Sequence, residues 1–189
     1  MISIIMPSHN CDTQKFMQEV EDALPNIDLQ LIGCNDRRAE GKGWAVREAL
    51  TQATGTVIVF LDGDGDIAPR MIKRLLPYLQ DYDIVCGTKP ISGLWSRRLL
   101  TYWSRLYIAL LFGVKCDTQT GLKAFRRYAL TDWYSNGWLF DLEILSVAKQ
   151  KKMTMIEVPI EYTPSNKPMK LKSIWKTFKE SVTLWLELR

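Results

Sequence analysis

The chain has 189 residues, 47% of them hydrophobic and 24% charged, a composition that suits one globular domain with a full core and excludes a disordered or low-complexity chain. A single histidine, His9, excludes multi-histidine zinc sites and argues against a Ser/His/Asp triad, so any metal must be held by oxygen. The net charge of +4 divides into −4 for residues 1–95 (9 Lys/Arg against 13 Asp/Glu) and +8 for residues 96–189 (16 against 8), so an acidic half suited to a divalent cation precedes a basic half suited to phosphate, to an anionic membrane surface, or simply to solvent.

The chain opens on a β-rich run, Ile2–Met6, with no basic leader before it, and no secretory signal is expected. Pro7-Ser8-His9-Asn10 and Asp12 follow, ahead of a helical pattern over Thr13–Leu24. Pro7, Asn10 and Asp12 are candidates for lining a nucleoside pocket, with helix capping by Asn10 or Asp12 as the plainer alternative. A second strand is predicted over Leu29–Gly33, then Cys34-Asn35-Asp36, where Asp36 is a base or ribose candidate. Arg37, Arg38 and Lys42 could reach a diphosphate, Lys42 being preferred, although a solvated loop is the commoner fate of such cations. A helix is predicted over Gly43–Ala53 and a buried strand over Val57–Leu61, which ends in Asp62-Gly63-Asp64-Gly65-Asp66.

Downstream the pattern gives a helix over Pro69–Leu79, a strand over Ile84–Gly87 and an amphipathic helix over Arg97–Phe112. A polar turn carries Asp117, Gln119 and Lys123 around Gly121, either a pocket wall near an acceptor or a structural turn. A helix over Phe140–Lys149 begins with Asp141, a candidate cap, and Glu143, a candidate support for the site. A strand over Met155–Ile160, an irregular stretch over residues 163–172 and a closing helix over Ser173–Leu188 complete the chain. This βαβα alternation predicts one α/β domain over residues 1–189, with a mostly parallel sheet covered by helices on both faces. The cysteines Cys11, Cys34, Cys86 and Cys116 form no CxxC pair and are expected to be reduced, in a cytosolic protein.

In such a sheet, ligands bind at the carboxyl ends of the strands. The turn Asp62–Asp66 sits at one of those ends. Its three alternate carboxylates cannot enter a core because clustered like charges are too costly to desolvate, so they call for a cation, Mg²⁺ or Mn²⁺. The glycines between them let a diphosphate approach the backbone. An EF-hand does not fit, because the sixth position is Ile67 and the twelfth is Lys73. A DxDxT-type phosphatase does not fit either, because Asp66 stands where Thr or Val is needed and the turn lies mid-chain.

Two amphipathic segments, near residues 95–114 and 173–188, combine aromatic and basic residues. Arg97, Arg98 and Arg105 accompany Trp95, Leu99, Trp103 and Leu110, and Lys172, Lys176 and Lys179 accompany Trp175, Phe178 and Trp185. Trp at an interface and Arg on phosphate suit peripheral membrane contact, against the plainer reading of core-facing helices with a basic face. The apolar stretch Leu99–Val114 is shorter than a bilayer-spanning helix and is broken by Arg105.

Taken together, Met6-Pro7-Ser8-His9-Asn10, Gly41-Lys42-Gly43-Trp44-Ala45, Ala53-Thr54-Gly55, the Asp62–Asp66 turn with Pro69, Asp83-Ile84-Val85-Cys86-Gly87-Thr88-Lys89, Asp117-Thr118-Gln119-Thr120-Gly121-Leu122-Lys123, Phe140-Asp141-Leu142-Glu143 and Glu157-Val158-Pro159-Ile160 form an ordered series. In that order the chain resembles glycosyltransferase family 2, and within it the dolichyl- or polyprenyl-phosphate mannosyl- and glucosyltransferases. It departs from the family in lacking the Asp-Asp-Gly-Ser turn after the second strand, and it has lysines (Lys167, Lys170, Lys172) where an Arg and a Ser-Lys pair usually stand.

The resemblance implies a GT-A fold and an inverting transfer of a hexose from a UDP- or GDP-sugar to a polyprenyl phosphate, at the cytoplasmic membrane face and with no nucleic-acid partner. A soluble or glycan acceptor is the alternative, and a nucleic-acid- or membrane-binding module without catalysis is a more distant one. It also implies roles: Asp64 and Asp66 on the metal, Asp62 on the ribose or a metal-bound water, and Gln119 in the catalytic turn. Pro7, Asn10, Asp12, Asp36 and Lys42 would take the nucleotide-sugar, and Arg97, Arg98, Arg105 and Lys123 the acceptor phosphate.

Overall fold

The structure is a computed structural model that describes residues 1–8, 13–35, 40–90, 95–163 and 171–189. Asn10, Asp12, Asp36, Lys167 and Lys170 lie outside the described residues, as do the side chains of Arg97 and Lys172.

Six strands form one sheet in the order β2-β1-β3-β5-β4-β6: β1 (Ile2–Ser8), β2 (Leu29–Asn35), β3 (Val57–Leu61), β4 (Ile84–Thr88), β5 (Leu122–Arg126) and β6 (Met155–Pro159). The β1–β2, β1–β3 and β4–β6 pairs are parallel, and β5 runs antiparallel between β3 and β4. The five strands expected from sequence are present, and β5 is the one that was read as a turn. Leu122-Lys123-Ala124-Phe125-Arg126 has a lysine among four buried residues, a pattern that hides a strand unless the partner charge is known.

Helices α1 (Thr13–Ala23), α2 (Lys42–Leu50), α3 (Ile72–Leu75, continued on both sides by 3₁₀ turns), α4 (Trp95–Phe112), α5 (Phe140–Gln150) and α6 (Leu171–Glu187) cover the sheet. Strand side chains alternate between faces, and the two cores follow that alternation. Ile4, Met6, Val59, Leu61, Val85, Leu122 and Ala124 meet Phe16 and Val20 of α1 and Ile72 and Leu75 of α3. Ile5, Ile58, Phe60, Ile84, Cys86 and Phe125 meet Val46 and Ala49 of α2 and Phe140, Ile144 and Leu145 of α5. The described cysteines, Cys34, Cys86 and Cys116, are free thiols.

The closing helix α6 lies on α4. The Tyr107 hydroxyl is 3.1 Å from that of Ser181, the Tyr107 and Phe178 rings are 5.4 Å apart, and Trp185 Nε1 donates to Leu111 O at 3.0 Å. Both helices nevertheless expose aromatic and apolar side chains, Trp95 at 76%, Trp103 at 58%, Leu110 at 76% and Trp175 at 66%. Among the described residues no helix is long and apolar enough to cross a membrane.

Candidate active site

Strand β1 has β2 on one side and β3 on the other, so the crevice of this α/β sheet opens at the carboxyl ends of β1 and β3. The Asp62–Asp66 turn leaves β3 there, and Gly63 N donates to Pro7 O at the end of β1 across 3.0 Å. Pro7 and the acidic turn are therefore brought together as expected.

Asp62 is fixed from three sides. Its N–H donates to Gly121 O at 2.9 Å, its carboxylate is 2.6 Å from Lys42 Nζ, and Gly121 lies flat against it. A Cβ on Gly121 would sit 2.1 Å from Asp62 Oδ2 and 2.2 Å from Cγ, a distance no side chain tolerates. Gly121→Ala must push Asp62 aside, and a displacement near 1 Å at a reacting group costs about 100-fold in turnover. Turnover reduced by that factor, with an unchanged far-ultraviolet circular dichroism spectrum, is the expected result.

Asp64 is exposed, and its Oδ1 accepts the Asp66 N–H at 3.1 Å. Desolvation by the turn, with the charges of Asp62 and Asp66 beside it, raises its carboxyl above the ordinary value of 3.8. Asp66 Oδ2 accepts from the Tyr162 hydroxyl at 3.2 Å, and Asp66 O accepts Thr163 N at 2.9 Å. The turn thus carries more negative charge than Lys42 offsets, which fits a hard cation with oxygen ligands. Among the described residues no group of three or more His, Cys, Asp or Glu side chains converges as a ready metal cage.

Lys42 starts α2, and its Nζ lies over the rings of Trp138 (5.3 Å) and Phe140 (5.7 Å) as well as against Asp62. The glycines beside it are a packing requirement. Gly41 has φ +115°, and a Cβ there would meet Asn136 O at 2.3 Å, while one on Gly43 would meet Ser135 O at 2.3 Å. Gly43 N and Trp44 N, the first amides of α2, donate to Gly137 O (3.3 Å) and Asn136 O (3.2 Å), so this helix start is occupied by the loop ahead of α5.

The Asp117–Lys123 turn is a buried network. Asp117 receives the Gln119 N–H (2.9 Å), the Thr120 hydroxyl (2.8 Å) and Arg105 Nη2 (2.8 Å), and its own N–H donates to Glu157. Burial pushes the Asp117 carboxyl up, but those donors outweigh it and hold the pKa below the ordinary value. Gln119 itself is exposed beside the turn that holds Asp62.

Two candidate phosphate ligands are engaged internally. Lys123 is 1% exposed, and its Nζ donates to Thr120 O (2.6 Å) and Thr118 O (3.2 Å) and pairs with Asp141 at 3.3 Å. Its position on β5 points it at α5, where Asp141 stands. Burial opposes its charge, but Asp141 and the other anions around it prevail and raise its pKa. Its three protons are committed, so it has none to offer an acceptor phosphate. Asp141 correspondingly is Lys123's counter-ion rather than a helix cap, the cap position being Leu139.

Arg105 bonds Asp117 and the Thr88 hydroxyl (2.9 Å), so the anion that tolerates a guanidinium on this apolar helix is part of the protein. Arg105→Leu leaves the buried Asp117 short of a charged donor, and we expect a loss of about 2 kcal/mol in urea unfolding. Arg98 is exposed in the first turn of α4. Glu143 supports the site as expected, its two oxygens accepting Tyr134 N and Ser135 N at 2.8 Å each.

The loop over residues 130–139 escaped sequence reasoning. Trp133 is buried, donates from Nε1 to Gly43 O (3.1 Å), and packs with Phe60 and Phe140. Four aromatic residues close together in the sequence, Trp133, Tyr134, Trp138 and Phe140, were the signal available.

Comparison with known proteins shows the family and the fold. Residues 8–133 match the model of the family described as Glycosyl transferase family 2. A dolichyl-phosphate beta-glucosyltransferase of Drosophila melanogaster is 30% identical over 143 residues, 65% of this chain and 44% of that protein. A polyprenol monophosphomannose synthase of Mycolicibacterium smegmatis is 28% identical over 136 residues, 65% of this chain and 49% of that protein. The chain thus spans less than half the length of either relative. The solved structure of glucosyl-3-phosphoglycerate synthase from Mycobacterium tuberculosis, in complex with Mn²⁺ and uridine-diphosphate-glucose, superposes with a TM-score of 0.72 at 17% identity, covering 100% of this chain and 78% of that one. At that identity the likeness is one of fold.

Proposed function

The chain belongs to glycosyl transferase family 2, and from that membership we propose that it moves a hexose from a UDP- or GDP-sugar to a polyprenyl phosphate at the cytoplasmic face of a membrane. Its fold is the GT-A α/β fold. The observation that carries the reading is the acidic turn at the carboxyl end of β3, held by Lys42 and Gly121 and left with surplus negative charge. The curated relatives, named for dolichyl and polyprenyl phosphates, support the acceptor class.

Asp64 and Asp66 are the residues that would hold Mg²⁺ or Mn²⁺, which when bound would neutralise a leaving diphosphate. Asp62, oriented by Lys42 and by the Gly121 carbonyl, is assigned to the donor ribose, with Pro7, Asn10, Asp12 and Asp36 around the nucleoside. Lys42 can exchange its Asp62 contact for a diphosphate oxygen. A phosphate acceptor is already ionised at neutral pH, so a site without a strong general base suffices. Gln119 is assigned to the acceptor side, and the acceptor phosphate to Arg97 and Arg98, with Lys167, Lys170 and Lys172 as further candidates. The exposed Trp95, Trp103 and Trp175 suit a peripheral contact with the bilayer interface.

Incubation of the protein with radiolabelled nucleotide-sugars, Mn²⁺ and a polyprenyl phosphate extract tests this reading. Label is expected to enter the organic phase. Label found only in water-soluble product contradicts the lipid acceptor and selects a soluble one. No nucleic-acid partner is proposed, and tight nucleic-acid binding that collapses with salt would contradict that.

A further inference from the structure

Trp138 is 74% exposed, yet it stands in a stretch of irregular chain that is fastened at several points. Arg47 donates to Trp133 O (2.8 Å) and Asn136 Oδ1 (2.6 Å), Glu143 takes the Tyr134 and Ser135 amides, and Gly137 O and Asn136 O receive the first amides of α2. Two glycines, Gly41 and Gly43, are kept free of side chains so that the loop can lie on that helix start. Rigid loops without regular structure are unusual, because each ordered residue loses conformational entropy. Here the ordering ends in an aromatic ring that buries little of itself.

The ring is placed beside the reactive turn. Lys42 Nζ lies 5.3 Å from its centroid and 2.6 Å from Asp62 Oδ1, while Phe140 already covers Lys42 from another direction at 5.7 Å. Trp138 is therefore not required to shelter the lysine. What it adds is a broad apolar surface facing solvent, beside the Lys42–Asp62 pair. A pyranose presents one face of C–H groups, which fits the face of an indole.

We propose that Trp138 is a specificity-determining residue that stacks on the hexose of the bound nucleotide-sugar, an inference that rests on the functional reading above. Held by the loop, the ring orients the hexose next to the diphosphate that Lys42 would take, without itself exchanging protons. Pro7, the described nucleoside candidate, lies instead at the end of β1, and the ring is assigned to the sugar and not to the base.

Calorimetry on the wild type, Trp138→Ala and Trp138→Phe, in Mn²⁺ with UDP, GDP, UDP-glucose and GDP-mannose, tests the assignment. We expect Trp138→Ala to weaken binding of the nucleotide-hexose about tenfold while leaving the matching nucleoside diphosphate within twofold, and Trp138→Phe to restore most of the loss. Equal weakening of both ligands, which stacking on the base or loss of the Lys42 contact would give, overturns the inference, as does unchanged binding of both. In those two outcomes the functional reading stands. Absence of any nucleotide binding by the wild type overturns that reading and this inference with it.

Discussion

Asp64→Asn is expected to fold normally and to lose metal-dependent turnover by 100- to 1,000-fold or more, roughly the effect of removing one charged stabiliser from a developing anion. The amide keeps the shape of the side chain and its acceptance of the Asp66 N–H, but removes the charge that draws a cation to the turn. The pH dependence separates this role from a structural one. Because desolvation and the neighbouring carboxylates raise the Asp64 pKa above 3.8, the proton competes with the metal at higher pH than at an ordinary aspartate. Mn²⁺ affinity of the wild type should therefore fall as pH drops through that raised value. Asp64→Asn should bind Mn²⁺ weakly at every pH, without that step. Near-normal turnover of the variant in Mg²⁺ or Mn²⁺ contradicts the metal assignment.

Lys123→Met should have the largest effect on stability. The lysine is 1% exposed and shares its charge with Asp141, 7% exposed, so removing it strands a buried carboxylate and two carbonyls, Thr118 O and Thr120 O. Breaking a buried pair from one side costs about 3–5 kcal/mol, whereas replacing both partners with apolar groups of similar volume is often nearly neutral. Urea unfolding of Lys123→Met is expected to show that loss, and Lys123→Met/Asp141→Leu to recover most of it. If Lys123 were an acceptor-phosphate ligand, the single variant would instead unfold like the wild type and fail only with acceptor.

That lysine also shows where reading the sequence stops. The strands that carry continuous apolar runs, such as Val57–Leu61, and the acidic turn that follows were legible, because periodicity and clustered charge are local properties. Strand β5 was not, because its buried Lys123 is neutralised by Asp141, a residue on a helix that only the fold brings alongside. Arg105 failed for the same reason. A guanidinium in an apolar helix correctly signalled an anion, but the anion is Asp117, a residue of the chain itself.

Within the candidate site, Asp62, Lys42 and Pro7 were anticipated as neighbours. The glycine that fixes Asp62 was not, since Gly121 lies so near the Asp62 carboxyl that a Cβ would overlap it, a proximity that no spacing rule encodes. The helix pattern over Arg97–Phe112 predicted α4 well, yet whether its tryptophans face a core or solvent depended on where α6 packs. Trp95 and Trp103 turn out to be exposed and Trp185 to be half-buried against Leu111.

Calorimetric titration with UDP, GDP and their hexose conjugates, in Mn²⁺ and again in EDTA, tests the central claim most directly. The account predicts that one nucleotide class binds, that binding requires Mn²⁺, and that Asp64→Asn abolishes the requirement together with the affinity. Equal binding in Mn²⁺ and EDTA, or none with either nucleotide, would contradict it.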